Sequence, residues 1–259
     1  QIDGGVDFLV VQGTTGESPT ISEHEKEKIL EAVLEENDGR LPIVFGVGGN
    51  DTKMIAQKMK SLPKGIDGIL SVSPFYSKPT QEGIYQHYNF ISQATDLPII
   101  LYNVPGRTGS NVSAETTLRL AEIDNIVAMK EASGNFDQLM EIVRCKPDGF
   151  NLLSGDDALT LPMIACGSEG VISVVSNAFP EEFSAMVNAS LQGDLSTAKR
   201  IHYDLLLITR FFFEEGNPGG VKVALSARNI LKNKMRLPLV PVSRDLEARI
   251  NKEMFRFLK

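Results

Sequence analysis

The chain has 259 residues, enough for one large α/β domain or two small ones, with 42% hydrophobic and 23% charged residues. Its formal net charge of −7 is spread along the sequence with no basic stripe, which argues against nucleic-acid binding. No apolar run reaches the ~20 residues that span a bilayer, and residues 1–5 lack the basic region and apolar core of a secretion signal.

The two cysteines, Cys145 and Cys166, have no CxxC spacing, so they are expected to pack as small apolar side chains in a reducing cytoplasm. Residues 1–5 (Gln1-Ile2-Asp3-Gly4-Gly5) read as a helix end without an initiating Met, so the expectation is that a strand and most of a helix precede them in a longer chain. A first apolar run, 8–12, ends in Gln12-Gly13-Thr14-Thr15-Gly16-Glu17-Ser18. Thr14 and Thr15 at this glycine-flanked turn offer hydroxyls and N–H groups to a carboxylate. No Lys follows the second Gly, so this is not a Walker loop.

Ser22 and Glu25 form the sequence of a capping box, and Asp51 or Thr52 is placed to cap a helix carrying Met54, Ile55 and Met59. Further apolar runs follow at 43–47, 68–73, 99–104, 126–130, 150–154 and 170–175. Their continuous rather than alternating apolarity predicts strands buried on both faces, as in a parallel sheet. Ser113 is placed to cap a helix over 114–121, and strand–helix alternation predicts right-handed βαβ units. Seven strands suit an open doubly wound sheet, whereas a (β/α)8 barrel needs eight. With the implied upstream strand, the reading is an α/β TIM barrel over residues 1–179, its first strand lying before residue 1. From Pro180 the pattern turns helical: first-turn Glu181 and Glu182, a helix capped by Asp194 to about Glu215, a break at Gly216, Gly219 and Gly220, a helix over 221–231, and a last one from Asp245 to the end. Residues 180–259 are therefore read as a C-terminal helical region.

Barrel active sites lie at the C-terminal ends of the strands. Of the 15 lysines, only Lys130 ends an apolar strand run. A buried ammonium is costly, so the neutral amine becomes available to attack a keto group. The alternative is a structural lysine paired with Glu131 or another carboxylate. Tyr102, in the strand 99–104, is either plain core or, beside such a lysine, a proton shuttle. Arg107, between Gly106 and Gly109, either forks onto a substrate carboxylate or makes a salt bridge at the rim. Asp156 and Asp157 have no nearby histidine to complete a metal site; His24, His87 and His202 fall in helical segments and read as surface or packing residues. The loops after the last two strands carry acids and no glycine-rich cradle, which predicts a substrate without phosphate.

Taken together, Gly13-Thr14-Thr15-Gly16-Glu17-Ser18, Tyr102-Asn103-Val104-Pro105-Gly106-Arg107-Thr108-Gly109, Lys130-Glu131-Ala132-Ser133-Gly134 and Pro79-Thr80-Gln81-Glu82-Gly83 after Tyr76 resemble the dihydrodipicolinate synthase family, within the N-acetylneuraminate lyase superfamily of class I aldolases. The resemblance covers the whole chain. It implies an imine between pyruvate and Lys130, proton shuttling by Tyr102, and a hydroxyl relay through Thr14 to Tyr76, with no metal or cofactor. It places Thr15 on the pyruvate carboxylate, Arg107 on the carboxylate of L-aspartate 4-semialdehyde, and Gly155 and Ile172 at the lysine side of the site. It implies 4-hydroxy-tetrahydrodipicolinate as product, in the diaminopimelate route to lysine. Tyr76 would cross a subunit interface in a homotetramer built as a dimer of dimers. In lysine-inhibited members, lysine binds near the residues matching Ser18 and Asn50, beside a histidine, a glutamate and a tyrosine. Lys26, Met54 and Phe75 stand at those positions, which implies weak or absent inhibition by lysine. Sister aldolases acting on sugar acids share the lysine and tyrosine but not the arginine, and a catalytically silent keto-acid binder would not need all five of Thr14, Tyr76, Tyr102, Arg107 and Lys130.

Overall fold

The computed structural model describes residues 1–257. Seven strands, β1 (Leu9–Val11), β2 (Ile43–Gly46), β3 (Gly68–Val72), β4 (Ile99–Asn103), β5 (Ile126–Glu131), β6 (Asn151–Ser154) and β7 (Gly170–Val171), form one parallel sheet in which each pairs with the next in sequence. The order never reverses, so the switch point that defines a doubly wound sheet is missing, and that alternative is removed. β7 is shorter than expected: β6 pairs with it only at Leu153 and Ser154, so only two residues gain ladder partners. Ile172 lies just beyond it and donates its N–H to Ser154 O at 2.9 Å.

Two compact units make up the chain. One joins Phe8–Val11 to Gly39–Ile172 and holds the sheet with α2 (Thr52–Lys60), α3 (Gln81–Ser92), the single turn α4 (Pro105–Thr108), α5 (Ala114–Ala121), α6 (Phe136–Cys145) and α7 (Thr160–Ala165). On one face of its sheet Val44, Leu70, Ile100, Tyr102, Val104, Ala128 and Ile172 form a cluster. The alternate residues Leu101 and Met129 are fully buried, as are Ile84, Tyr88 and Ile91 of α3 and Ile142 of α6. This is why the strands read as continuous apolar runs. Ser113 and Asp51 cap α5 and α2 as their positions predict. Cys145 departs from expectation: it ends α6 exposed, while Cys166 is half-buried.

The second unit joins Gln1–Asp7 and Gln12–Asp38 to the described residues from Ser173 onward. It holds α1 (Glu23–Asn37), α8 (Pro180–Leu191), α9 (Leu195–Glu214), α10 (Gly219–Ala227) and α11 (Arg244–Met254). Both arms of the Ser22–Glu25 capping box are made, at 2.9 and 3.3 Å. α9 buries Ala198, Leu205, Ile208 and Phe212 at helical spacing. Gly219 and Gly220 start α10 rather than break the chain. A Cβ on Gly220 would lie 2.5 Å from Phe212 Cα, so glycine is what lets α10 meet α9. The break falls at Gly216, in the left-handed region at φ 94°. The last helix begins at Arg244 on a Ser243 cap, one residue before the expected Asp245. The expectation that it runs to the end of the chain includes residues 258–259, which lie outside the described residues. Among the described residues, no strand follows β7 and no helix is long and apolar enough to cross a membrane.

Candidate active site

Period-two alternation decides which side chains meet at the sheet's C-terminal ends. Tyr102 of β4 and Lys130 of β5 are register partners, so their side chains share a face. Lys130 Nζ stands 4.2 Å from the centre of the Tyr102 ring, and both residues are buried. Glu131, one residue on, projects the opposite way. It accepts hydrogen bonds from Ser133 N at 2.6 Å, Gln138 Nε2 at 2.9 Å and Asn103 Nδ2 at 3.0 Å. The pairing of Lys130 with Glu131 is therefore not made, because adjacent strand residues cannot face each other.

Burial pushes the Lys130 amine down to about 8 from its ordinary 10.5; the Asp157 carboxylate pulls the other way and the Arg107 charge adds to the lowering. At pH 7 about one amine in ten is then neutral, against about one in several thousand for an exposed lysine. Gly155 makes room for this side chain: a Cβ there would lie 3.1 Å from both Cγ and Cε of Lys130 and 2.8 Å from Ala132 Cβ. Asp156 turns its carboxylate onto Ala158 N and Leu159 N, at 3.0 and 3.3 Å, and shapes the turn after β6. Asp157 is 2% exposed and acts on the lysine by charge. Among the described residues, no three His, Cys, Asp or Glu side chains gather to hold a metal ion.

Arg107 is exposed on α4, with its N–H bonded to Val104 O at 2.8 Å, and no rim salt bridge forms to it among the described residues. Tyr76, in the loop after β3, is 89% exposed, with a left-handed φ of 71° and its N–H on Thr108 O at 3.3 Å. His87 is buried in α3 and bonded to Thr52 Oγ1 at 2.9 Å, and burial pushes it down to about 4, so it is a neutral packing residue as expected.

In the second unit Thr14 and Thr15 occupy a 3-10 turn, Thr14–Gly16, and both are half-buried. Thr15 Oγ1 accepts a hydrogen bond from Asn217 Nδ2 at 2.8 Å. Glu17 follows in a left-handed conformation, buried, and bonded to Lys222 Nζ and, at 2.9 Å, to Arg236 N. Burial works to raise the Glu17 carboxyl, but Lys222 and Arg236 together outweigh it and hold it below the usual carboxylate range. One unit thus brings together Lys130, Tyr102, Gly155, Asp157 and Arg107, and the other brings Thr14 and Thr15 to Asn217 and Glu17. Asn217, the Glu17–Lys222 pair and the Asn103–Glu131–Gln138 network were not singled out from the sequence. Glu17 stands in a noticed string, but its partners lie some 200 positions away.

A family model described as the dihydrodipicolinate synthetase family matches residues 1–255. The 4-hydroxy-tetrahydrodipicolinate synthase of Parabacteroides distasonis is 54% identical over 243 residues, covering 93% of this chain and 82% of its own. The crystal structure of dihydrodipicolinate synthase from Aquifex aeolicus superimposes with a TM-score of 0.96 at 41% identity, covering 99% of this chain and 88% of its own. A structure described as the first monomeric dihydrodipicolinate synthase variant gives 0.94 at 42% identity, covering 98% and 87%.

Proposed function

The chain belongs to the dihydrodipicolinate synthetase family, and on that premise we propose that it is a Schiff-base lyase. It condenses pyruvate with L-aspartate 4-semialdehyde to 4-hydroxy-tetrahydrodipicolinate, a step of the diaminopimelate route to lysine. The observation that carries this reading is Lys130, a buried strand-end amine brought down to about 8, against the ring of Tyr102.

The neutral Nζ attacks the keto carbon of pyruvate, and the resulting carbinolamine loses water to give the imine. Tyr102 moves the protons this requires, relayed by Thr14 and Tyr76. The protonated imine acts as electron sink for loss of a methyl proton, giving the enamine. The enamine carbon attacks the aldehyde of the semialdehyde, whose amine then displaces Lys130 and closes the ring. Thr15 holds the pyruvate carboxylate, Arg107 receives that of the semialdehyde, and Gly155 and Ile172 bound the lysine side. An exposed guanidinium with no carboxylate partner among the described residues suits the Arg107 role.

The finer architecture is a (β/α)8 barrel to which residues 1–179 contribute seven strands, with a helical region from residue 180 onward. The unreversed strand order supports it, as does the confinement of strands to residues before Ile172 among those described. The working form is a cytoplasmic homotetramer, a dimer of dimers in which Tyr76 crosses to a neighbour. A tyrosine 89% exposed, a residue type enriched at interfaces, supports that placement.

Borohydride treatment with pyruvate, followed by mass spectrometry, tests the reading. Lys130 alone gains the mass of the reduced adduct, and the semialdehyde is turned over in preference to sugar-aldehyde acceptors. Labelling at another lysine with Lys130 unmodified overturns it, and light scattering tests the assembly separately.

A further inference from the structure

Thr15 is one of two adjacent hydroxyls in the turn after β1, and its oxygen is engaged in a particular sense. A hydroxyl has one hydrogen to donate and two lone pairs to accept with, and it rotates to suit its surroundings. Asn217 Nδ2 donates to Thr15 Oγ1 at 2.8 Å. With an N–H aimed at one lone pair, the Thr15 hydrogen is turned away from Asn217 and left to donate elsewhere. We propose that Asn217 is a positioning residue that fixes the Thr15 hydroxyl as a donor to the pyruvate carboxylate. This rests on the reading of Thr15 as the residue that holds that carboxylate.

The surrounding contacts make Asn217 a fixed point rather than a loose neighbour. It stands between α9 and α10, 8% exposed, with the turn after β1 tied to the same stretch of chain at several further places. Glu17 binds Lys222 of α10 and takes the Arg236 N–H at 2.9 Å. The Arg236 guanidinium reaches back to Thr20 O at 3.0 Å and to the Glu25 carboxylate at 2.7 Å. These contacts set the position of residues 14–20 against 217–236, so the Asn217 amide meets Thr15 in one orientation. Asn217 Oδ1 is itself buried and meets no donor among the described residues, so no second side-chain contact competes for the orientation of the amide. A hydroxyl preset as donor binds a carboxylate without reorganising, which lowers the cost of forming the complex.

The test uses Asn217→Asp, of the same shape but with an acceptor in place of the N–H. The Thr15 hydroxyl must then turn to donate to Asp, and the pyruvate carboxylate loses its donor and meets a negative charge. The expected result is a rise of roughly 10- to 100-fold in KM for pyruvate, the range for losing a hydrogen bond to a charged group. kcat at saturating pyruvate and KM for the semialdehyde stay within about threefold. Imine trapping with methyl pyruvate, which has no carboxylate charge, is spared. Asn217→Ala removes the donor without adding charge and gives a smaller rise in the same constant. In a Thr15→Val background it adds nothing further, because the residue it acts through is gone. If Thr15→Val raises KM for pyruvate but the Asn217 variants do not, the proposal fails and the reading of Thr15 stands. The proposal also fails if the Asn217 variants depress kcat and the trapping of both ketones alike. If Thr15→Val leaves KM for pyruvate unchanged, the reading of Thr15 fails and takes this proposal with it.

Discussion

Lys130 at the end of β5 and Glu17 in the turn after β1 are both charged types, and both are less than a tenth exposed, at 8% and 9%. Burial opposes the charged form in each case, and it is the largest single influence on both. The outcomes differ because the partners differ. Lys130 lies among apolar strand residues and a tyrosine ring, with Asp157 only partly offsetting the loss of water, so its amine is driven toward neutrality. Glu17 is met by the Lys222 ammonium and the Arg236 N–H, so it stays ionised. A buried charge without sufficient partners is driven toward its neutral form, and one with them becomes a fastening.

Removing Lys130 should produce the largest effect. Lys130→Met should abolish the trapped pyruvate adduct and lower turnover by at least about a thousandfold. The same variant should be more stable than the parent at pH 7. The unfolded chain binds the Lys130 proton up to its ordinary 10.5 and the folded one only to about 8, so parent stability rises with pH between those values and carries the full penalty below them. The penalty is about 3 kcal/mol, equivalent to roughly 5–10 °C in melting temperature, which calorimetry of the two proteins checks. An equally stable, inactive variant would mean that Lys130 is not strained by its burial. In the parent, imine formation should rise with pH through about 8, read by stopped-flow trapping.

Arg107→Ala should lower kcat/KM for the semialdehyde by roughly 10- to 100-fold, the cost of a lost charged hydrogen bond, while the borohydride adduct with pyruvate survives. Normal kinetics with the semialdehyde would make Arg107 a residue of the rim.

Breaking the fastening should cost stability before activity. Glu17→Gln leaves Lys222 beside a neutral amide, which should lower stability by about 3 kcal/mol in thermal unfolding. The Glu17 contribution is fully present above the ordinary carboxyl value of 4.5 and is lost as pH falls through the depressed folded value. The stability gap between parent and Glu17→Gln should therefore close in acid. A gap that persists unchanged well below pH 4 would mean that packing, not charge, holds this turn.

The smallest expected effect is none at all: free L-lysine at several millimolar should leave the rate unchanged. A ligand with two ammonium groups needs carboxylate partners. The half-exposed Met54 supplies none, and Lys26 carries a like charge and pairs with Glu23 at 2.9 Å. Half-inhibition well below about 1 mM would show that binding tolerates these residues.

The strands were legible because a parallel sheet buries both faces, and apolar runs ended in Gly, Ser, Asn or Pro at nearly the observed boundaries. Ser22, Asp51, Ser113 and Asp194 cap helices by contacts three residues away, which sequence spacing states directly. Lys130 was legible for the same reason: it is the one lysine that ends an apolar strand run. Its freedom from Glu131 was not, since only the pleat sends neighbours to opposite faces and supplies Glu131 with Asn103 and Gln138. The length of β7 depended on how much of β6 was left to pair with, and Gly220 on how closely α10 approaches Phe212. The sequence by itself determined the order of strands and helices and singled out the lysine proposed to form the imine, because those follow from local period and residue chemistry. Tertiary structure alone decided that burial would lower the Lys130 amine, that Glu17 would remain charged, and that Asn217 would meet Thr15 across 202 positions of chain. Each of those depends on which distant groups surround a charge or a hydroxyl, and no local pattern encodes that.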